Sequence, residues 1–346
     1  MIDEAIRSLG SCVDLSAQQM ESVMEEIMTG AVATREIVAF LKVLSVKGET
    51  VEEVSSAVEV MRRHALHITS RHAVVLDTCG TGGDGKNTFD ISTAAAFVVS
   101  GAGIPVAKHG NRSVSSRSGS ADVLEALGID IGMSPQHALR CLDEIGLAFL
   151  FAQTFHPAMK YVMPARKEIG ARTIFNVLGP LSNPAGASHQ IVGVFNRHWA
   201  QVIAGALTRL GTQHALVVHG TDGLDEISTA APTIVFEAAG RAVSQYTISP
   251  SDFGIPQSEA GQFAGGSAQD NALILTELLN GKRGPVRDIV VLNAAAAICA
   301  AGEAGSGVHD LISGIRAGVD RANESLDSGK ALRQLKLLQE YSRKAA

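Results

Sequence analysis

The chain has 346 residues, of which 46% are hydrophobic and only 4% aromatic, and its formal net charge at pH 7 is −6. This length predicts one large domain or two. The net negative charge and the scarcity of aromatic side chains argue against a general nucleic-acid binder, so any anion site must be a local cluster of positive groups.

The cysteine pattern and the apolar segments indicate a reducing compartment and no membrane span. Cys12, Cys79, Cys141 and Cys299 lie far apart and form no C-x-x-C pair, which argues against a disulfide framework or a zinc site. The N-terminus "MIDEAIRSLG" has no signal-peptide pattern, and the longest apolar stretches fall short of the ~20 residues that a membrane helix needs. We therefore expect a soluble, cytoplasmic protein.

The first 66 residues are predicted to be helical. Ser16 with Gln19, and Thr50 with Glu53, have the spacing of capping boxes, and Thr34 begins a helix between them. The apolar face of the first capped helix consists of Met20, Val23, Met24 and Ile27. At this spacing the methionines are predicted to be core rather than an adaptable partner surface. Three short helices make a thin domain, so part of their apolar surface should meet the rest of the chain or a second subunit.

From residue 73 onwards, predicted strands alternate with predicted helices. The strands are "AVVLD", "IPVAKHG", "LAFLFA", "HQIVGVF" and "HALVVHG", and the segment from Asp270 to the C-terminus is helical again. Such alternation predicts a mostly parallel sheet covered on both faces. The predicted fold class is α/β, with a small N-terminal α-helical domain and a larger α/β domain around a mostly parallel central sheet.

A glycine-rich stretch, "LDTCGTGGDGKNTFDIST", lies between a strand predicted to end at Asp77 and a helix predicted to start near Ser92. Glycines let backbone N–H groups approach an anion, and a helix N-terminus adds free donors. The loop fits neither a dinucleotide fingerprint nor a Walker A motif. A merely flexible turn is the alternative, but four glycines favour a phosphate cradle.

A second loop, "KHGNRSVSSRSGS", places Lys108, Arg112 and Arg117 among five serines just after the next strand. Alone, it could equally be a solvated loop. Two such loops at one edge of a sheet favour a site for an anion larger than one phosphate.

A third stretch, "VVHGTDGLDEIS", runs from a strand into Asp222, Asp225 and Glu226. Alone, it reads best as an Asp-Gly turn that caps a helix. Beside two anion loops, carboxylates repel the ligand unless a hard cation lies between them, and Mg²⁺ prefers one or two carboxylates plus substrate oxygens. The residues alone therefore predict a Mg²⁺-assisted enzyme acting on a polyphosphorylated small molecule.

Within these stretches, "GTGGDGKNTFDIST", "KHGNRSVSSRSGS" and "VVHGTDGLDEIS", together with "HPAMKYVMPARKEIGARTIFNVLGPLSNPAG", resemble the anthranilate phosphoribosyltransferases of tryptophan biosynthesis, in order and over nearly the whole chain. The resemblance implies a helical domain over 1–70, joined by helices from about 157–185, and a catalytic α/β domain over 71–346. It also implies homodimers formed mainly through the helical part. The implied reaction joins anthranilate to 5-phosphoribosyl 1-diphosphate and releases diphosphate, with Mg²⁺ required and two ions per monomer expected.

The resemblance also implies site residues. Those for phosphoribosyl diphosphate are Gly80, Gly83, Asp84, Thr88, Asp90, Ser92, Thr93, Lys108, His109, Gly110, Asn111, Arg112, Ser113, Ser115, Ser116 and Ser120. Those for anthranilate are Gly80, Asn111 and Arg166, and the metal ligands are Ser92 for one ion and Asp225 with Glu226 for a second. No nucleophile is expected; Lys108 and His109 are candidates for a catalytic role, whereas Cys79 is expected to be a small buried residue.

One position departs from the family, which usually has Asn where this chain has Asp90. A carboxylate cannot donate a hydrogen bond to a phosphate or ribose oxygen, so we expect weaker substrate binding or a steeper Mg²⁺ dependence than with Asn. Two alternatives stay open: a pyrimidine nucleoside phosphorylase of the same architecture, and a non-catalytic nucleotide-sensing dimer.

Overall fold

The computed structural model describes residues 1–113, 117–259, 261–302 and 307–344. The chain begins with helices α1 (Ile2–Gly10), α2 (Ala17–Met28), α3 (Thr34–Lys47) and α4 (Val51–Arg63). Both predicted capping boxes are confirmed, with the Gln19 N–H donating to Ser16 Oγ at 3.4 Å and the Glu53 N–H donating to Thr50 Oγ1 at 3.2 Å. The apolar face of α2, methionines included, is buried core as predicted.

The strands that the structure describes are β1 (Leu76–Gly80), β2 (Val106–Gly110), β3 (Leu147–Phe151), β4 (His189–Gly193), β5 (His214–Gly220), β6 (Thr233–Ala239) and β7 (Ala242–Ile248). They form one sheet in the order β3-β2-β1-β4-β5-β6-β7. The first five are parallel, which confirms the predicted mostly parallel sheet. The antiparallel pair β6 and β7 was not predicted.

Helices cover both faces of this sheet. They are α5 (Ile91–Gly101), α6 (Ser120–Ala126), α7 (Pro135–Ile145), α8 (Ala152–Phe155), α9 (Met163–Ile169), α10 (Phe175–Leu181), α11 (Arg197–Arg209), α12 (Ala268–Leu279), α13 (Pro285–Ala300), α14 (Val308–Asp327) and α15 (Lys330–Arg343), with 3-10 turns at Pro157–Tyr161 and Pro250–Phe253. Within the described ranges, no helix combines the length and apolar character needed to cross a membrane.

Two hydrophobic cores lie on opposite faces of the sheet. Leu216 belongs to the core that contains α5 and α13, and its neighbour Val217 belongs to the core that contains α11 and the N-terminal helices. Successive strand residues point to opposite faces, so a strand buried on both sides is apolar throughout. The N-terminal helices therefore share a core with the sheet, as their thinness predicted.

Strand order reverses at β1, which has β2 on one side and β4 on the other. In such sheets, ligands bind in the crevice outside the carboxyl ends of the strands at this switch point. The prediction that the first strand ends at Asp77 was wrong: pairing with β4 continues to Gly80 opposite Gly193. The following helix begins at Ile91, one residue before the predicted Ser92, because Asp90 is its N-cap.

Candidate active site

The glycine-rich loop leaves the end of β1 and folds over the end of β4. Gly82, Gly83 and Gly85 have φ angles of 64°, 80° and 74°, in the left-handed region that favours glycine. The Thr81 N–H donates to the Gly193 carbonyl at 2.8 Å, and the Phe195 N–H donates to Thr81 Oγ1 at 3.2 Å. The base of the loop is therefore docked on β4, and its tip has the backbone freedom that an anion cradle needs.

A glycine at the end of β4 makes room for the acidic segment that follows β5. A Cβ at Gly193 would overlap the carbonyl oxygen of Asp225, whereas a Cβ at its strand partner Gly80 would lie at an ordinary contact distance of 3.6 Å from Asp225 Oδ2. The absence of a side chain at Gly193 therefore lets Asp225 lie against the ends of β1 and β4. The glycine loop and the acidic segment thus meet at the switch point.

Asp84, Asp225 and Glu226 place three carboxyl groups close together there. The Asp225 N–H donates to Asp84 Oδ2 at 3.4 Å, and the Lys86 N–H donates to Asp84 Oδ1 at 2.9 Å. Burial, followed by the neighbouring Asp84, raises the pKa of Asp225 to about 8. Burial and then Asp225 raise the pKa of Glu226 well above its usual range. A cation bound beside these carboxylates would relieve their repulsion.

The start of α5 holds a compact polar group. Asp90 caps the helix by accepting from the Thr93 N–H at 3.2 Å and from Thr93 Oγ1 at 2.7 Å. Ser92 Oγ donates to Asp90 Oδ1 at 3.3 Å and accepts from Lys108 Nζ at 3.0 Å. The buried Lys108 ammonium also donates to the Thr78 carbonyl at 2.6 Å. Just before this group, Thr88 forms an isolated antiparallel bridge with Ala264.

The second predicted anion loop follows β2. Arg112 donates to Asp122 Oδ1 at 2.7 Å and to both carboxylate oxygens of Glu125, so its guanidinium is paired with protein carboxylates in this structure. Ser120 Oγ donates to the Asn111 carbonyl at 3.3 Å. A side chain at Gly110 would collide with Ser120 and with a neighbouring phenyl ring. Of the predicted phosphate ligands here, Ser113 is described, while Ser115 and Ser116 lie outside the described residues.

His109 has a fixed tautomer. Its Nδ1 lies 3.0 Å from the Gly179 carbonyl, which can only accept, so Nδ1 carries the proton and Nε2 is an acceptor. Burial, then the His156 ring 5.0 Å away, lowers the pKa of His109 to about 3. Nε2 is buried without a partner in the described structure, as are both ring nitrogens of His156. The site therefore contains a neutral imidazole with an unused acceptor.

Asp77, itself bound by Asn183, fixes the backbone of His109. The His109 N–H donates to Asp77 Oδ1 at 3.1 Å, and Asn183 Nδ2 donates to Asp77 Oδ2 at 2.8 Å. On α9, Arg166 is half-buried, and burial lowers the pKa of its guanidinium. Within the described part of the chain, Arg166 makes no hydrogen bond or ion pair through its side chain. Its positive charge is therefore available to an anion.

Comparison with known proteins identifies the family. The model of the glycosyl transferase family a/b domain matches residues 72–332, and that of the helical bundle domain matches residues 3–65. A curated anthranilate phosphoribosyltransferase of Symbiobacterium thermophilum is 48% identical over 337 residues, covering 97% of this chain and 96% of the relative. One of Anaeromyxobacter dehalogenans is 50% identical, covering 98% of each chain. The chain belongs to the anthranilate phosphoribosyltransferase family.

Solved structures of this family have the same fold. The enzyme of Thermus thermophilus superposes with a TM-score of 0.91 at 39% identity, covering 98% of this chain and 99% of the other. The Saccharomyces cerevisiae enzyme, solved in complex with PRPP and Mg, has a TM-score of 0.89 at 29% identity, covering 99% of this chain and 97% of the other. The predicted architecture, a helical domain joined to an α/β domain, is confirmed.

The donor set at the switch point suits Mg²⁺ rather than a transition metal. Among the described residues, no three His, Cys, Asp or Glu side chains are grouped as a metal cage. Mg²⁺ does not require one, because it is usually held by one or two carboxylates, waters and substrate phosphates. Asp225 and Glu226, with the Ser92 hydroxyl, are hard oxygen donors of this kind.

Several residues of the site escaped the sequence-based prediction. Asp77, His156, Asn183 and Gly193 were not assigned roles, although two of them lie within motifs that carry the family resemblance. An acid directly after the apolar run of residues 73–76 is a signal that could have identified Asp77. The others acquire their roles only from contacts between distant segments.

We expect Gly193→Ala to lower the free energy of unfolding by at least about 2 kcal/mol, because the new methyl group must displace the Asp225 backbone. Activity should fall with it, since Asp225 moves. Urea denaturation measures the stability change. Gly10→Ala, where a Cβ meets no atom within 4 Å, is the matched control and should be neutral. Wild-type stability and activity in Gly193→Ala would contradict the placement of Asp225.

Proposed function

We propose that this chain transfers the 5-phosphoribosyl group of 5-phospho-α-D-ribose 1-diphosphate to the amine of anthranilate. The products are N-(5-phosphoribosyl)anthranilate and diphosphate, in tryptophan biosynthesis. The observation that carries the proposal is the meeting of the glycine loop with Asp84, Asp225 and Glu226 at the switch point. It is supported by curated relatives with that activity, which are 48% and 50% identical in sequence and align over nearly the whole chain.

The donor would lie along the two loops. Gly80, Gly83 and Asp84, with Thr88, Asp90 and the α5 start at Ser92 and Thr93, are proposed to face the ribose and diphosphate. The free N–H groups and positive dipole end of a helix favour such an anion. The loop from Lys108 to Ser116, with Ser120, is proposed to hold the phosphates. The Arg112 guanidinium would have to exchange Asp122 and Glu125 for phosphate oxygens, or act only by holding the loop.

We propose that two Mg²⁺ ions accompany the donor, one at Ser92 and one at Asp225 with Glu226. Bound Mg²⁺ supplies neutralisation of the charge that grows on diphosphate as the anomeric C–O bond breaks. A yeast relative is described in complex with PRPP and Mg, which supports this assignment. Lys108 adds a fixed, buried positive charge beside Ser92.

The acceptor would lie between His109 and Arg166. The planar guanidinium of Arg166 matches a carboxylate. The Nε2 of His109 is buried, so we propose that His109 lines the acceptor pocket with its ring and does not bond the amine directly. Because burial lowers its pKa to about 3, His109 stays neutral and does not take the amine proton. Asn111 and Gly80 complete the proposed contacts. The amine lone pair then forms the C–N bond as the C–O bond breaks and diphosphate leaves, and the proton lost from the nitrogen passes to the released diphosphate or to solvent. Positioning would provide much of the rate.

We also propose that the chain is a homodimer working in the cytoplasm. The proposed domains are residues 1–70 and 71–346, with helices from about 157–185 joining the first as the dimerisation unit. Packing of α9 against α3 and of α10 against α4 supports that grouping. So does Arg62 on α4, which donates to the Leu181 carbonyl at 2.7 Å. No observation favours the pyrimidine nucleoside phosphorylase or the nucleotide-sensing dimer.

The reaction is tested by anthranilate fluorescence. With purified protein, phosphoribosyl diphosphate and Mg²⁺, the fluorescence of anthranilate should decrease with time, and removal of Mg²⁺ by a chelator should stop the decrease. Adding excess Mg²⁺ back should restart the decrease. If fluorescence persists in the presence of both substrates and Mg²⁺, the acceptor is a different amine or the chain lacks this activity, and the proposal fails.

Asp90→Asn tests the departure from the family pattern. Burial and then Asp225 raise the pKa of Glu226 most, and Asp90 adds to the rise, so the negative charge of Asp90 reaches the proposed metal side. Removing that charge beside an anionic donor should lower KM for phosphoribosyl diphosphate several-fold and flatten the dependence of rate on Mg²⁺. Rates are measured over a matrix of both concentrations. Curves that superimpose on those of the wild type would remove the idea that Asp90 weakens substrate binding.

A further inference from the structure

Arg172 lies between α9 and α10, outside all the predicted site residues, and reaches across to the glycine loop. Its guanidinium donates to the carbonyl of Gly83. Its Cζ also lies 3.9 Å from the centre of the Phe195 ring, within cation–π distance. A Cβ at Gly83 would be 3.4 Å from Arg172 Nη2, so the guanidinium lies directly against the loop backbone.

These contacts form a closed ring with the base of the loop. Phe195 supports the Arg172 guanidinium with its ring and donates its backbone N–H to Thr81 Oγ1. The Thr81 N–H in turn donates to the Gly193 carbonyl. The end of β4 and the residues after it thus hold the loop at two points. Thr81 is bound directly, and Gly83 is bound through Arg172, which lies on Phe195. We refer to Arg172 with Phe195 as the arginine clamp.

The clamp sets the direction of one peptide group. In a trans peptide the carbonyl and the following N–H point in opposite directions. Fixing the Gly83 carbonyl towards Arg172 therefore turns the Asp84 N–H away from Arg172. Asp84 is also the residue whose carboxylate accepts from the Asp225 N–H. Rotation of the peptide after Gly83 would disturb both groups, and Gly83, itself left-handed with φ 80°, offers little resistance to it.

We propose that Arg172 is a positioning residue for the phosphoribosyl diphosphate site, which holds the Gly83–Asp84 peptide in its binding orientation before substrate arrives. This inference rests on the proposed function for the identity of the ligand. A rival role is general attraction of an anionic substrate by the positive charge of Arg172. The Arg172→Lys variant distinguishes the two roles. Lysine keeps the positive charge, but it has no planar guanidinium that can stack on the Phe195 ring while donating to Gly83.

The test combines steady-state kinetics with hydrogen exchange on the full chain. Arg172→Ala should raise KM for phosphoribosyl diphosphate about tenfold, the loss typical of a charged hydrogen bond, and leave KM for anthranilate unchanged. Arg172→Lys should remain impaired. Phe195→Leu should shift the same KM in the same direction by less. Lys167→Ala removes an exposed positive charge from nearby α9 and is the matched control, with wild-type kinetics expected.

Amide hydrogen exchange without substrate separates this inference from the proposed function. Peptides covering residues 81–86 should exchange faster in Arg172→Ala than in the wild type, while the sheet and the melting temperature are unchanged. Unchanged exchange in that loop would overturn the clamp, whether or not the wild type is a transferase. Full recovery of KM in Arg172→Lys would also overturn it, in favour of charge alone. If the wild type has no transferase activity but the loop exchanges faster in Arg172→Ala, the result would contradict the proposed function and still support the arginine clamp.

Discussion

Burial of neighbouring carboxyl groups at one end of the sheet is the constraint on which the rest of this site depends. Asp84, Asp225 and Glu226 are brought together by the topology. Burial first, and then the neighbouring carboxyl groups, raise the pKa values of Asp225 and Glu226, which reflects the cost of ionising them there. Lys108 offsets only part of that cost at Glu226. This is why we propose a complex of an anion with a hard cation as the ligand, rather than either ion alone.

The glycines follow from the same constraint. Gly193 lets the acidic segment approach the strand ends, and the left-handed glycines of the loop let its backbone curve around a ligand. Such freedom carries an entropic cost on binding. Docking of Thr81 on β4 and the contact of Arg172 with Gly83 restrict that freedom before the ligand arrives. The acceptor side is rigid for a different reason, because Asp77 and Gly179 fix His109 in one position and one tautomer.

Local patterns predicted what local forces determine. The capping boxes at Ser16 and Thr50 and the helix start at Thr34 were readable, because each depends on neighbours in sequence. The parallel sheet was readable from the alternation of strands and helices along the chain. The end of the first strand was misplaced because glycines were assigned to the loop, whereas Gly80 pairs with Gly193 more than a hundred residues away. His156 and Arg172 had no local signature, since their partners come from other segments. Long motifs identified the family and its candidate residues, whereas the contacts among those residues required the fold.

Calorimetric titration of phosphoribosyl diphosphate into wild type and Asp225→Asn, at several Mg²⁺ concentrations, tests the central claim most directly. The claim is that the acidic segment exists to bind the donor through a cation. Affinity of the wild type should rise with Mg²⁺, and Asp225→Asn should lose most of that rise while keeping its fold by circular dichroism. Equal affinity and equal Mg²⁺ dependence in the two proteins would contradict the account.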